Sequence, residues 1–184
     1  DGPLQHFVNE TVRGQVAGLM DQNLQDAAVL VLDNNSGEVL AYVGSSGGLS
    51  DAQYVDGVQA RRQAGSTLKP FVYGLAIEQK YLTAATLLED GAIEIPISAG
   101  GVYRPRNYDS SSHGPVTVRE ALASSLNTPA VRAILTVGTN EVVKRLNALG
   151  FKNLMAPEFY GASLALGSAD VTLWELTNAY RTLA

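Results

Sequence analysis

Ser66 and Lys69 are the residues of this chain whose types and spacing are best suited to chemistry. A serine hydroxyl is a weak nucleophile until a neighbouring base takes its proton. Three residues apart at a helix start, the two side chains would project from one face within reach of each other. The positive potential of the helix N-terminus and burial beside Leu68 and Phe71 would both favour the neutral amine of the lysine. The spacing therefore predicts serine acyl transfer with a lysine base, and the Ser66 N–H could help to hold an oxyanion.

A second candidate segment is Ser125-Leu126-Asn127. It falls in the break between two predicted helices, where side chains can turn into a cleft. Both patterns are short enough to arise by chance, and a solvated Ser and Lys at a helix start is the structural alternative. The sequence around the two motifs must decide between a catalytic site and this structural alternative.

The elements predicted to position these residues are helices and one β-hairpin. Apolar spacing predicts an amphipathic helix over about residues 7–23. Residues 27–33 and 38–43 are β-type runs joined by the turn sequence Asn34-Asn35-Ser36-Gly37, which predicts a hairpin. The rest is predicted to be mainly helical, starting with a helix opened by residues 65–70, where Pro70 falls in the first turn.

Further helix starts are predicted from capping residues, and Gly138 and Gly150 are predicted to end helices. The predicted caps are the capping boxes Thr117/Glu120 and Thr172/Glu175, the pair Thr128-Pro129, and Thr139. No repeat or linker divides these elements, so a single domain over residues 1–184 is predicted.

Composition excludes several classes of protein. The net charge of −5 argues against a nucleic-acid surface. There is no cysteine, and His6 and His113 lack a metal-ligand spacing, so neither a metal nor another cofactor is expected. The glycine- and serine-rich residues 44–48 are interpreted as a surface connection, because no GK[ST] follows. No run approaches the roughly 20 apolar residues of a membrane span, no signal segment is recognisable, and both ends of the chain suggest a cut.

The text around the motifs resembles the transpeptidase domain of class A (bifunctional) penicillin-binding proteins. That family combines S-x-x-K, S-x-N and K-T-G motifs. The resemblance runs from about residue 26 to the end of the chain. The segments that carry it are residues 61–71 around Ser66, residues 107–109, 113–116 and 121–131 leading through Ser125 and Asn127, and residues 163–168 and 171–176.

The resemblance implies an α/β (α+β) fold of the β-lactamase/transpeptidase type and a D,D-transpeptidase that cross-links peptidoglycan stem peptides. Ser66 would be the nucleophile, Lys69 the acylation base, Ser125 a proton relay to the leaving amine, and Asn127 a hydrogen-bond partner of Lys69 and of the substrate amide. Implied partners are the D-Ala-D-Ala end of a stem peptide and β-lactams that acylate Ser66. The parent protein would be anchored in the membrane, face the periplasm and carry a glycosyltransferase.

The third motif of the family is missing from these residues, because none of the four lysines is followed by Thr-Gly or Ser-Gly. The expectation is therefore a truncated domain holding an N-terminal helix, the first hairpin and the helical part. It would lack the later strands, be inactive or impaired, and be able to self-associate through an open strand edge. A D,D-carboxypeptidase or β-lactamase, and a non-catalytic penicillin-binding module, stay open as alternatives. Glu175 is interpreted as a cap rather than a deacylating base.

Overall fold

The computed structural model describes residues 1–97 and 100–184. The α-helices in this part of the chain are α1 (Gly2–Leu19), α2 (Lys69–Glu78), α3 (Val118–Ala123), α4 (Asn127–Val137), α5 (Thr139–Ala148), α6 (Pro157–Tyr160) and α7 (Leu173–Arg181). The strands are β1 (Val29–Leu32), β2 (Val39–Val43), β3 (Arg62–Gln63), β4 (Leu87–Asp90), β5 (Ile95–Pro96), β6 (Val102–Tyr103), β7 (Gly114–Thr117) and β8 (Asp170–Val171). Short 3₁₀ turns cover Met20–Gln22, Gly47–Leu49, Gly65–Leu68 and Gly161–Leu166.

Two units divide the chain. The first comprises Asp1–Arg62, Leu149–Lys152 and Val171–Ala184, and the second comprises Gln63–Ala148 and Asn153–Asp170. All four predicted site residues fall in the second unit. The single-domain interpretation stays a prediction.

The first unit is built on the β1–β2 hairpin and helix α1. The strands pair antiparallel from Val29 opposite Val43. In the turn, Asp33 Oδ1 accepts hydrogen bonds from the backbone N–H groups of Asn35 and Ser36 at 3.0 and 2.7 Å. This side-chain bonding to nearby N–H groups is why Asp and Asn favour such turns. The predicted hairpin is confirmed with slightly shorter strands.

Helix α1 covers one face of the hairpin with a stripe of buried valines. Val8, Val12 and Val16 recur every four residues and pack against Ala41 and Val43. The helix begins earlier than predicted because Asp1 caps it, accepting the N–H of Leu4 at 2.9 Å. It ends at Leu19 in a 3₁₀ turn, not at residue 23.

Helix α7 begins with the predicted capping box. The Thr172 hydroxyl accepts the N–H of Glu175, and the Glu175 carboxylate accepts the N–H of Thr172, each at 3.0 Å. Glu175 also accepts from the Lys152 N–H at 3.1 Å and from Arg61 Nη1 at 3.3 Å. These bonds make the buried Glu175 carboxylate a cap of the helix, which confirms its predicted capping role.

The core of the second unit lies between α2, α4 and the 3₁₀ turn Gly161–Leu166. Helix α4 is buried on several sides, and its strongly apolar face packs on α2. The buried core side chains are Phe71, Val72, Leu75, Ala76, Val131, Ala133, Ile134, Leu164 and Ala165. Lys69 therefore enters a close-packed interior from the first residue of α2.

Two of the predicted helix caps are wrong. Helix α4 begins at Asn127, one residue before Thr128, and Leu126 at its N-cap supplies no side-chain hydrogen bond. Thr139 opens α5, but its hydroxyl donates to the Gly161 carbonyl at 3.3 Å instead of capping the helix. The Thr117/Glu120 box at the start of α3 is confirmed.

Two short sheets interrupt the stretch predicted to be mainly helical. Strand β4 pairs antiparallel with β7, from Leu87 opposite Thr117 to Asp90 opposite Gly114, and β5 pairs with β6. These strands escaped prediction because they are four and two residues long and β7 contains Gly114 and Pro115, which disfavour strands. Self-association through the β1–β2 sheet stays a prediction.

Candidate active site

Ser66 lies in the tight turn that leads into α2. The turn Gly65–Leu68 is 3₁₀ rather than α-helical, and the Lys69 N–H donates to the Ser66 carbonyl. In this geometry residues three apart eclipse each other, which keeps Ser66 and Lys69 on one side of the helix. The Ser66 side chain is exposed, as a nucleophile that meets a substrate must be.

Two glycines hold this turn. The N–H groups of Ala64 and Gly65 donate to the carbonyls of Ala169 and Gly167, both at 3.1 Å. Gly167 has φ +75°, and a Cβ there would lie 1.9 Å from the Gly65 carbonyl oxygen. Only glycine fits both this dihedral and this approach. The sequence contained Gly167 within a family-like segment but carried no signal of its role.

Lys69 is the most unusual residue of the site because its side chain is 1% exposed. Its ammonium donates to Ser125 O at 2.6 Å, Ser125 Oγ at 3.1 Å and Asn127 Oδ1 at 2.7 Å. Burial lowers the pKa of Lys69 from 10.5 to about 8. The neutral amine is therefore much more accessible near neutral pH than it is in an ordinary lysine.

Ser125, which accepts a hydrogen bond from Lys69, lies in a strained backbone conformation just after α3. At the end of α3 the N–H of Ser125 bonds to Leu122 O at 3.1 Å, and that of Leu126 bonds to Ala121 O at 2.9 Å. This is a Schellman arrangement, which usually places glycine at the position held by Ser125. Ser125 instead has φ +53°, which costs a non-glycine residue about 1 kcal/mol. Such strain concentrates at functional sites.

Asn127 is the first residue of α4 and bonds in two directions. Its Oδ1 accepts from Lys69, and its Nδ2 donates to the Arg106 carbonyl at 2.7 Å. Its backbone N–H donates to Asn107 Oδ1 at 2.7 Å. The structure thus brings Lys69, Ser125 and Asn127 together by direct hydrogen bonds, with Ser66 at the turn just before Lys69.

A polar layer behind the site was missed by sequence reasoning. Asn107 and Asp90 are 6% and 1% exposed, and Asn107 Nδ2 lies 2.8 Å from both Asp90 oxygens. Asp90 stands before Gly91 in what resembles an ordinary turn, so its burial had no local signal. Asn107 was noticed only as part of a family-like segment.

No metal-ligating cluster of three or more side chains occurs among the described residues. Within the same residues, no helix has the length and apolarity to cross a membrane. The described side chains of the site offer a serine hydroxyl, the Lys69 amine and its hydrogen-bond partners.

Comparison with known proteins identifies the family. Residues 27–184 match the family model of the penicillin binding protein transpeptidase domain. The chain belongs to this family. It is 38% identical over 163 residues to penicillin-binding protein 1C of Escherichia coli, covering 85% of this chain and 20% of that protein. The 1C branch is also the one that the segments around the motifs resemble.

Solved structures agree with this assignment. Penicillin-binding protein 1A of Haemophilus influenzae superposes with a TM-score of 0.75 at 32% identity, covering 85% of this chain and 23% of that one. The PonA1 protein of Mycobacterium tuberculosis, solved in complex with penicillin V, gives a TM-score of 0.79 at 23% identity, covering 100% and 49%, and supports the fold alone. The mixed helix and sheet fold of transpeptidase type is confirmed. The chain spans about a fifth of the length of the curated relatives it matches.

Proposed function

We propose that this chain supplies the nucleophilic half of a peptidoglycan D,D-transpeptidase site. Ser66 Oγ attacks the penultimate D-Ala carbonyl of a stem peptide, the C–N bond breaks, and the terminal D-Ala leaves as an amine. An amine of a neighbouring strand then attacks the acyl-enzyme ester and releases Ser66. The observation that carries the proposal is the buried Lys69, with its lowered pKa, held against Ser125 and Asn127 one turn after an exposed serine.

The proton follows the hydrogen bonds of the site. Neutral Lys69 Nζ takes the proton of Ser66 as the C–O bond forms. Ser125 Oγ, 3.1 Å from Nζ, passes a proton to the leaving nitrogen and is reprotonated by Lys69. In deacylation the incoming amine gives up its proton along the same route.

Asn127 holds the base and is suited to meet the substrate. Its Oδ1 fixes Lys69 Nζ, and one N–H of its amide is bonded to Arg106 O. A carboxamide has two N–H donors. The second is therefore available for a carbonyl of the substrate.

The oxyanion is assigned to the first turn of α2 and its preceding 3₁₀ turn. The first N–H groups of a helix have no intrahelical partner, and the Ser66 N–H is one of these. Acyl transfer is usually supported by two such donors, and loss of one costs about 10²–10³ in rate. Without a K-T-G or K-S-G sequence, these 184 residues alone are expected to be inactive or impaired.

The family assignment extends the proposal to partners and place. β-Lactams would acylate Ser66 because they resemble the D-Ala-D-Ala end. The whole protein would work at the periplasmic face of the inner membrane, held by an anchor and joined to a glycosyltransferase. Nucleic acid is not an expected partner, given the net charge of −5.

The full-length protein, incubated with a stem pentapeptide and an acceptor amine, is expected to release D-Ala and form the cross-linked peptide. Mass spectrometry of the products separates the alternatives. Release of D-Ala without the cross-linked product would indicate a D,D-carboxypeptidase. No D-Ala release, with Ser66→Ala and wild type behaving alike, would favour a non-catalytic penicillin-binding module.

A further inference from the structure

Helix α4 begins without a cap of its own. Leu126 at the N-cap position has no side chain that can accept a hydrogen bond. The acceptor for the N–H of Asn127 comes from a distant segment, where Asn107 Oδ1 lies 2.7 Å away. The residue that starts the helix is also the one whose side chain holds Lys69, so Asn107 acts directly on the geometry of the base.

Asp90 determines which way Asn107 faces. Its carboxylate receives Asn107 Nδ2 at 2.8 Å on both oxygens, the His113 N–H at 3.1 Å and His113 Nδ1 at 2.7 Å. A carboxylate accepts hydrogen bonds and donates none. The amide nitrogen of Asn107 must therefore face Asp90, which leaves its oxygen facing Asn127.

The surroundings of Asp90 make this arrangement rigid. The carboxylate is fully buried, and a buried charge is tolerated only when it is well hydrogen-bonded. His113, just before β7, contacts the carboxylate, and burial together with the charge of Asp90 raises the pKa of Tyr73 on α2. Arg132 on α4 donates to the carbonyls of Glu89 and Gly91 on either side of it.

We propose that Asp90 and Asn107 are positioning residues that hold Asn127 Oδ1 against the Lys69 amine. Neither touches the reacting atoms. Their effect passes through one backbone hydrogen bond to the start of α4 and then through the Asn127 side chain. The consequence for acylation rests on the proposed function, whereas the effect on Lys69 does not.

Exchanging the two residues is the sharpest test. In Asp90→Asn one of the two oxygens that Asn107 Nδ2 contacts becomes an amide nitrogen, so one acceptor is lost and two donors lie close together. In the double variant Asp90→Asn/Asn107→Asp the contact between the two side chains can form again, because Asn at 90 donates and Asp at 107 accepts from both Asn at 90 and the Asn127 N–H. The bond from Asn107 Nδ2 to the Ser111 carbonyl, at 3.0 Å in wild type, is not restored. The net charge of the double variant equals that of wild type. Asn107→Ala also keeps the charge but removes the link, and Asn140→Ala on the exposed surface of α5 is the control.

Two readouts separate positioning from simple stabilisation. The first is the rate of acylation of the full-length protein by a fluorescent penicillin, with folding checked by thermal denaturation. Misplacement of catalytic groups by about 1 Å can cost 10²-fold, so Asn107→Ala and Asp90→Asn are expected to lose about ten- to a hundredfold. The double variant is expected to recover part of this loss, because the contact between residues 90 and 107 forms again but the bond to the Ser111 carbonyl does not.

The second readout is the Lys69 pKa, measured by NMR titration of ¹³C-labelled lysine, with the Lys69 signal identified by its loss in Lys69→Arg. In Asn107→Ala the Lys69 pKa is expected to fall below about 8, because the ammonium loses a fixed acceptor, and to return in the double variant. The proposal would be overturned if Asn107→Ala folds and its Lys69 pKa is unchanged. It would also be overturned if the double variant regains thermal stability but none of the lost acylation rate. If wild type is not acylated, the proposed function fails, and the titration still decides the positioning role.

Discussion

Replacement of Lys69 by arginine is expected to lower the rate of Ser66 acylation by about 10²–10⁴, the usual contribution of a general base. A guanidinium keeps the positive charge but does not lose a proton in the accessible pH range. The effect is measured as the rate of labelling by a fluorescent penicillin on the full-length protein. Lys80→Arg, at an exposed position after α2, is the matched control and is expected to label at the wild-type rate.

The same base gives the reaction a defined pH dependence. The lysine acts when it is neutral, so the rate is expected to rise as pH increases and to level off above about 8, where burial places the Lys69 pKa. An ordinary lysine at 10.5 would still be gaining rate at pH 10. Labelling by Lys69→Arg at the rate of wild type, or a wild-type profile that is flat between pH 6 and 9, would show that Lys69 is not the base.

Substitution of Gly167 by alanine is expected to destabilise the second unit by about 2–5 kcal/mol. An alanine at φ +75° costs about 1–2 kcal/mol, and overlap with the Gly65 backbone adds a further cost of about 1–3 kcal/mol. The clash involves backbone atoms, so relief requires movement of the turn that carries Ser66. Urea denaturation measures the first effect and penicillin labelling the second.

Gly114→Ala provides the comparison for this variant. Gly114 has a similar φ of +67° in the same unit, with no atom within 4 Å of a built Cβ. It should show only the dihedral cost of about 1–2 kcal/mol. Equal losses for the two variants would mean that the close approach of Gly167 to Gly65 contributes nothing.

Local signals explain which parts of the fold could be predicted. The hairpin turn and the two capping boxes are encoded within four to six residues, and the structure contains them. Thr128 and Thr139 carry the same local preference for caps, yet tertiary contacts decide otherwise. Asn107, 20 residues earlier in the sequence, supplies the hydrogen-bond acceptor for the first N–H of α4. The Thr139 hydroxyl donates to the Gly161 carbonyl.

The same contrast between local signals and tertiary contacts applies to the residues of the site. The spacing of Ser66 and Lys69, together with the family resemblance of the segments around them and around Ser125 and Asn127, predicted a serine–lysine site. The structure joins the last three residues by hydrogen bonds. Their catalytic roles stay proposals. Asp90 could not be predicted, because its role arises from the β4–β7 pairing that buries it beside Asn107, and no periodic pattern marks those strands.

Acylation of Ser66 can be tested directly by treating the full-length protein with penicillin and mapping the adduct by mass spectrometry of peptides. One adduct is expected, on Ser66, lost in Ser66→Ala and retained in the control Ser124→Ala, an exposed serine beside the second motif. An adduct on another residue, or labelling that persists in Ser66→Ala, would contradict it.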